Sequence, residues 1–122
     1  MKALQDALAK ERDVRFVSIT SDPENDQPDV LQRYAKHFGA DPTRWHFLTG
    51  PKASINELVV HGLKLVLIEK DAADRTVPND LFIHSELFVL VDRQGRLRQS
   101  FESLEPGALE SMIAGARRLL RE

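Results

Sequence analysis

The sequence predicts an α/β fold in which a mixed sheet is flanked by helices. Three observations predict it. Apolar, β-branched segments alternate with segments of helical periodicity through the first half of the chain. Residues 82–98 then have the pattern of a strand, a tight turn and a second strand, and a last helix follows them. Strands that alternate with helices and end in a hairpin plus a helix are typical of an α/β sandwich with a mixed sheet.

Composition predicts one soluble domain over residues 1–122. The chain of 122 residues is 42% hydrophobic and 30% charged, as in folded globular proteins. A net charge of -2 gives no electrostatic reason to expect a nucleic-acid partner. No apolar run approaches the ~20 residues that a membrane-spanning helix needs, so we expect no membrane segment.

The chain contains 0 cysteines. These residues therefore provide no disulfide, thiolate nucleophile, dithiol redox pair or Cys-ligated metal site. The sequence also lacks a G-x-G-x-x-G motif and a P-loop, and its serines have no nucleophile-elbow context. We expect a protein that is not an enzyme.

The first elements are expected in the order helix, strand, loop. Ala3–Arg12 has a helical apolar stripe. Val14–Thr20 is mainly apolar and β-branched, which predicts a strand buried on both faces. Ser21–Gln27 is rich in turn-forming residues and predicts a loop.

Two helices and a strand are expected next. Pro28 suits the first position of a helix whose apolar stripe ends before Gly39. Trp45–Thr49 predicts a short strand. A further helix is expected to open at Pro51 and to end before Gly62, and its stripe is Ile55, Leu58 and Val59.

The remaining chain predicts an extended piece, a loop, the hairpin and a helix. Leu63–Ile68 is expected to be extended, and residues 69–80 form a charged loop. Leu87–Val91 is apolar throughout, so both faces of this strand are expected to be covered. Residues 92–95 predict the turn, and an outer strand follows with Leu97, Gln99 and Phe101 facing inward. Pro106 is expected to start a helix whose buried stripe is Leu109, Met112, Ile113, Ala116 and Leu120.

Four segments carry a resemblance to a known family. They are Val17–Asp26 (VSITSDPEND), Tyr34–Ala40 (YAKHFGA), Trp45–Gly50 (WHFLTG), and His84-Ser85 with the hairpin Phe88–Arg98 (FVLVDRQGRLR). In this order and spacing they resemble the Sco/SenC family of thioredoxin-fold proteins, which bind copper and serve cytochrome c oxidase assembly. The resemblance implies a thioredoxin-like domain over residues 1–122.

The resemblance also implies that part of the family pattern is missing. Family members carry a strand and a Cys-x-x-x-Cys loop just before the helix that begins here at Met1. That strand lies between the strands matching Val14–Thr20 and Leu87–Val91. We therefore expect a domain incomplete at its N-terminus. Its gap would be closed by pairing of the flanking strands or by a strand from a second copy, unless the chain is a fragment.

In the family the two thiolates and the histidine that matches His84 form the copper site. His84 is thus the candidate metal ligand, and Asp22 is the weaker one because it matches an acidic residue near that site. The residues alone leave other interpretations open: a partly buried histidine bonded to a loop carbonyl, and a turn-forming aspartate. Since Cu(I) prefers thiolates, we expect this chain alone to bind no copper tightly.

The other candidate residues favour structural interpretations. No metal-binding spacing joins His37, His46 and His61. We expect His37 on the solvent side and His46 in packing. Three aspartates of the charged loop lack the calcium-loop pattern and predict a solvated segment; they are Asp71, Asp74 and Asp80.

Two functions remain as hypotheses. The first is a Sco/SenC-like protein whose complete form is a copper-binding assembly factor, with a cytochrome c oxidase subunit or another copper protein as partner. The second is a non-catalytic interaction module that pairs through an exposed sheet edge, for example as a homodimer. Family members are periplasmic or membrane-anchored. This chain has no signal or anchor and as written is expected in the cytoplasm.

Overall fold

The fold was analysed in a computed structural model that describes residues 1–63, 68–69, 82–83 and 87–122. The expected charged loop, with Asp71, Asp74 and Asp80, lies outside the described residues except for Glu69. Most of the expected extended piece before Ile68 also lies outside them.

The α/β class is confirmed, and the elements follow the expected order except for an additional short strand at Phe82–Ile83, which pairs with Ile68–Glu69. The helices are α1 Lys2–Ala7, α2 Pro28–His37, α3 Lys52–Asn56, which continues as a π-helix over Glu57–Gly62, and α4 Ala108–Leu120. The strands are β1 Phe16–Ile19, β2 Trp45–Leu48, β3 Ile68–Glu69, β4 Phe82–Ile83, β5 Leu87–Val91 and β6 Leu97–Glu102. They form three two-stranded sheets, β1-β2, β3-β4 and β5-β6.

The chain divides into two compact units. One joins Met1–Phe16 to β5, β6 and α4, and the other spans the described residues from Val17 to Ile83. β1 and β5, which we expected to flank a further strand, lie in different sheets. The two expected ways to close the gap, pairing of these strands or a strand from a second copy, stay predictions.

In the first unit, α4 packs against α1 and against the β5-β6 hairpin. Gly115 marks the close approach to the hairpin, because a Cβ atom placed there would lie 2.7 Å from Leu90 Cδ1. Arg117 of α4 joins the end of α1 and the turn after it: its Nη2 donates to the Ala7 carbonyl at 3.4 Å and its Nε to Glu11 Oε1 at 2.8 Å. The buried residues on the two helices and at the residue after α1 are Leu4, Gln5, Leu8, Ala108, Met112, Gly115 and Ala116.

Two boundaries in this unit differ from the expectation. α1 ends at Ala7 rather than near Arg12. Beyond it the backbone turns more tightly, and the N–H of Glu11 donates to the carbonyl of Leu8 at 3.2 Å. This turn brings Glu11 to Arg117. α4 begins at Ala108 rather than at Pro106, because Gly107 just before it has a φ of 78°.

The β5-β6 hairpin has the expected turn but a different register. The N–H of Gly95 donates to the carbonyl of Asp92 at 3.0 Å, and Gly95 has a φ of 79°. Leu90 pairs with Gln99 and Val91 with Leu97, so a β-bulge leaves Arg98 without a pairing partner. The bulge moves Leu97 off the face shared by Gln99 and Phe101. Its expected inward position was therefore wrong, and the side chain is exposed.

The expected burial of two strands on both faces was wrong. In β5 the first four side chains are half-buried, and Val91 is 48% exposed. In β1 only Phe16 is buried, and Val17 is 47% exposed. The exposed fractions show that neither strand is covered on both faces by the residues that the structure describes.

In the second unit, α2 contacts β2 through an aromatic cluster. Trp45 stacks on Phe47 with ring centroids 4.9 Å apart, and Tyr34 meets Phe47 edge-on at 5.8 Å. No residue of α2 is fully buried, although its apolar stripe lies where we predicted it. Tyr34 and Phe38 are both exposed.

The helix expected to open at Pro51 is present in two forms, and it includes Gly62, which was expected to lie past its end. Its first half is α3, and its second half widens into the π-helix. Ile55 and Val59 of the predicted stripe are buried, whereas Leu58 is exposed. A π-helix carries more residues per turn than the α-helix on which the stripe was drawn, so Leu58 falls outside the buried face.

Candidate functional site

The two candidate ligands have different outcomes. His84 lies outside the described residues, so its role as a ligand stays a prediction. Asp22 lies in the loop that follows β1, and it is 8% exposed. A buried carboxylate in a polar loop needs partners, and those partners define the local site.

Asp22 organises its loop through side-chain and backbone bonds. Its Oδ2 accepts a hydrogen bond of 2.9 Å from the side-chain amide of Asn25. Its carbonyl oxygen accepts from the backbone N–H of Asn25 at 3.3 Å and of Asp26 at 2.9 Å. This is the turn-forming role that the sequence left open, and it fixes the position of the carboxylate.

Thr20 holds the same loop from the end of β1. Its hydroxyl oxygen accepts from the backbone N–H of Asp22 at 2.9 Å, and its hydroxyl donates to Asp26 Oδ2. The Thr20 N–H donates to the carbonyl of Leu48 at 3.1 Å, which ties the loop to the end of β2. We did not single out Thr20, Asn25 or Asp26 from the sequence. Their spacing around Asp22, two residues before and three and four residues after, is the signal that could have identified them.

The sheet below this loop is fixed by one buried indole. Trp45, which is 5% exposed, donates from Nε1 to Ser18 Oγ at 2.9 Å. This bond joins β1 to β2 and satisfies the indole N–H in a buried position. The Asp22 loop therefore starts from a well-held strand.

The three other histidines are exposed. His37 lies on the solvent side, as predicted. His46 is also exposed, so its expected packing role was wrong: in β2 it alternates with Trp45 and Phe47 and lies on the opposite face. His61 Nδ1 lies 3.3 Å from Glu57 Oε1, a contact along the helix surface.

The described residues do not fit a Cu(I) ion on their own. In this part of the chain no group of three His, Cys, Asp or Glu side chains could hold a metal. Asp22 offers a hard oxygen atom that is already bonded to Asn25, whereas Cu(I) favours soft sulfur ligands.

A second charged cluster lies at the turn of the β5-β6 hairpin. Asp92, whose side chain is 5% exposed, accepts hydrogen bonds from the Gln94 and Arg96 backbone at 2.9 and 3.0 Å, from Arg96 Nε at 2.8 Å and from Arg98 at 3.2 Å. Desolvation raises the pKa of Asp92, but these bonds outweigh it and lower the pKa to about 2.

Arg98 extends this cluster to the end of α4. It donates two hydrogen bonds to Glu122, at 2.7 and 2.9 Å. The bonds to Glu122 and Asp92 raise the pKa of Arg98, and the bond from Arg98 lowers the pKa of Glu122. The arrangement links the hairpin to the helix and leaves these charges satisfied, which indicates a structural role.

No helix in the described part of the chain is long and apolar enough to span a bilayer.

Comparison with known proteins gives one family. The SCO1/SenC family model matches residues 1–121. A curated SCO1 protein homolog of Bacillus subtilis (strain 168) is 29% identical over 116 residues, and the match covers 93% of this chain. The chain spans 57% of the length of that relative.

Solved structures agree with this match. A SCO1/SenC family lipoprotein from Bacillus anthracis str. Ames is 27% identical with a TM-score of 0.79, covering 98% of this chain and 68% of that one. A second structure is that of BsSco, a member of the Sco family of cytochrome c oxidase assembly proteins in which a disulfide switch was identified. It is 29% identical with a TM-score of 0.76, covering 96% of this chain and 66% of that one.

Copper-bound ScoI from Bradyrhizobium japonicum is 24% identical with a TM-score of 0.71, covering 97% of this chain and 70% of that one. At this identity the likeness shows the fold alone. Together these structures confirm the predicted fold class, the thioredoxin-like fold of the Sco proteins.

Proposed function

The chain belongs to the SCO1/SenC family, and from this premise we propose that the complete protein binds copper and serves cytochrome c oxidase assembly. The observation that carries the proposal is the similarity to BsSco over 96% of this chain. Its partner would be a cytochrome c oxidase subunit or another copper protein. The activity is binding and delivery of the metal rather than catalysis.

In this proposal the 122 residues supply one part of the copper site. His84 would provide an imidazole ligand. Asp22 would lie beside the site as a fixed carboxylate, since Thr20 and Asn25 hold its loop. The chain contains 0 cysteines, so thiolate ligands would come from outside these residues.

For the compartment, we propose that the complete protein works on the outer side of the cytoplasmic membrane. The support is that the similar Bacillus anthracis protein is a lipoprotein.

An anaerobic Cu(I) titration against a chromophoric chelator tests the copper proposal. The 122-residue chain alone is expected to form no tight one-to-one complex, because it offers no thiolate. An extended chain, with a family strand and a Cys-x-x-x-Cys loop added at its N-terminus, is expected to form a tight one-to-one complex with Cu(I). In the extended chain, His84→Ala should weaken Cu(I) binding about tenfold or more, since even outer-shell substitutions cost that much.

His46→Ala is the matched control, because His46 is an exposed histidine with no proposed role. It should leave the affinity unchanged. Two results would overturn the assignment of ligands. One is tight Cu(I) binding by the 122-residue chain, and the other is a Cu(I) affinity of the extended chain that His84→Ala leaves unchanged.

A second candidate function is an interaction module that pairs through a sheet edge. One observation favours it: β5 pairs only with β6 among the described strands and carries five apolar residues in a row. Strands with an unpaired edge are templates for a further strand.

A further inference from the structure

Three segments of the first unit meet at one end of it. Arg93 of the hairpin turn contacts Asp13, in the turn that follows α1, at 3.2 Å. Arg98 of β6 donates to Glu122, just past α4, at 2.7 Å. Arg117 of α4 donates in turn to the segment that follows α1. Because each segment contacts the other two, the three lie side by side at the same end of the unit.

This end carries a surplus of positive charge. Its three segments, residues 9–15, 92–98 and 117–122, contain nine lysines and arginines but only four carboxylates. They hold more than half of the 17 Lys and Arg residues of a chain whose net charge is -2. The positive charge of the chain is therefore concentrated here, and we call these three segments the basic end.

The four carboxylates of the basic end are already paired within it. Besides the contacts above, Arg96 and Arg98 both donate to Asp92. Four arginines thus account for the four carboxylates. The other five cations are exposed and make no ion pair among the described residues, and they are Lys10, Arg12, Arg15, Arg118 and Arg121. Their charges are available to an anionic surface.

Two exposed apolar side chains adjoin these cations. Val91 and Leu97 pair across the base of the hairpin turn and are 48% and 41% exposed. Because side chains of a directly opposite pair lie on the same face of a sheet, the two form one small apolar patch. Arg93 and Arg96 lie between them in the sequence. Cations beside an apolar patch suit the interface of an anionic bilayer, where the cations meet headgroups and the apolar groups enter below them.

From these contacts and charges we propose that the basic end docks on an anionic lipid bilayer. The five cations without an ion pair contact the phosphate groups of the lipids, and Val91 and Leu97 enter the interface. A nucleic acid would satisfy the cations but leave the apolar pair in water. The inference goes beyond the copper function and rests on the proposal above only for the compartment, which places a bilayer beside the protein.

Vesicle sedimentation with the 122-residue chain, without copper, tests the proposal. Vesicles of phosphatidylcholine with about 30% phosphatidylglycerol should bind the chain, and pure phosphatidylcholine vesicles should not. Binding should weaken between about 0.1 M and about 1 M salt, as the Debye length falls from about 10 Å to about 3 Å. Since the assay contains no copper, its failure would leave the copper titration unaffected.

Substitution of cations gives the second readout. Lys10→Gln with Arg121→Gln should lower the partition coefficient into anionic vesicles about tenfold or more, since each cation near the surface contributes a factor of about five. Both residues are exposed, so the fold should be kept. The matched control is Lys36→Gln with Lys52→Gln, which changes the net charge equally on exposed residues of the other unit and should leave the partition coefficient nearly unchanged.

A label at Leu97 tests the apolar part of the surface. The chain contains 0 cysteines, so Leu97→Cys accepts a single polarity-sensitive fluorophore. Its emission should shift to the blue on anionic vesicles, because the label enters the interface. The same fluorophore on Glu105→Cys, an exposed residue beyond the other end of β6, should not shift.

Several outcomes would overturn the proposal. They are no binding to anionic vesicles at low salt, wild-type binding by the Lys10→Gln, Arg121→Gln variant, and an unchanged emission of the Leu97→Cys label on vesicles that bind the chain. Tighter binding to a DNA duplex than to the vesicles would assign the basic end to nucleic acid and count equally against a bilayer.

Discussion

The Asp92 side chain accepts four hydrogen bonds, all of them from its own hairpin. The Arg96, Arg98 and Gln94 donors favour the ionised carboxylate. Such bonds stabilise the folded chain only while the group is charged, which makes the hairpin sensitive to acid.

The pH dependence follows from the sign of the shift. The pKa of Asp92 is lowered to about 2 in the folded chain, against about 3.9 in an unfolded chain. The stabilisation is therefore complete above about pH 4 and lost as the pH falls through about 2. We expect Asp92→Asn to lower the free energy of unfolding at neutral pH. The difference in this free energy between variant and wild type should shrink between pH 4 and pH 2.

Urea unfolding at several pH values checks this prediction. Asp13→Asn is the control, because Asp13 is exposed and makes one contact of 3.2 Å with Arg93. A difference between Asp92→Asn and wild type that is constant across this pH range would contradict the assignment.

For single residues, the sequence predicts which side chains form turns better than it predicts which side chains are buried. The turn at Asp92 follows from local rules, since an aspartate before a glycine bonds its own backbone. The exposure of His46 was not predicted. Side chains of β2 alternate between two faces, and the sequence alone does not say that the face of Trp45 is the buried one. Asp22 was identified, whereas Thr20 and Asp26 were missed, since their roles depend on a fold of the loop that no single motif specifies.

Among the elements, α4 and the β5-β6 hairpin depend on one close contact. Gly115 allows it, since a Cβ there would lie 2.7 Å from Leu90 Cδ1 and 3.4 Å from Gln99 Oε1. Glycine has a poor helix propensity, but its lack of a Cβ atom allows the short distance between α4 and the hairpin.

Gly115→Ala is expected to lower the free energy of unfolding by about 1 kcal/mol. Overpacking costs about 1 to 3 kcal/mol, and the better helix propensity of alanine returns up to about 1 kcal/mol. Chemical denaturation measures the change. Leu90→Val in the same background should recover part of the loss, giving a favourable coupling in the double-mutant cycle. A Gly115→Ala protein that is more stable than wild type would show that Leu90 moves aside freely.

Helix and strand positions were predictable because periodicity is local, but strand burial was not. β5 was expected to be covered on both faces because all five of its residues are apolar. The apolar pattern does not specify how many strands and helices lie against β5, and the structure pairs β5 with β6 alone among the described strands. The bulge at Arg98 could not be predicted either, since nothing in the alternation of residues 97–101 marks an extra residue.

At the scale of the whole molecule, each sheet among the described residues has two strands, so each of these strands has one edge without a partner there. β6 carries Arg98 and Glu102, and charged side chains discourage pairing at an edge. β5 carries no charge, and Val91 is half-exposed. If a second copy closes the gap, it should therefore pair through β5.

Sedimentation equilibrium tests this pairing. The average mass of the 122-residue chain should rise with concentration, and Val91→Lys should raise the dimer dissociation constant about tenfold, equivalent to about 1.4 kcal/mol. Leu97→Lys places the same charge at an exposed position on β6 and should change it much less. A mass independent of concentration would count against both the dimer and the interaction-module function.

The residues that dominate protein fluorescence lie in only one of the two units. The one tryptophan and one tyrosine of the chain, Trp45 and Tyr34, both lie in the unit that starts at Val17. Ultraviolet emission therefore follows the environment of that unit alone, whereas circular dichroism of the backbone sees α1, α4 and the hairpin as well. A mismatch between the two signals during unfolding would reveal a partly folded species without any added label.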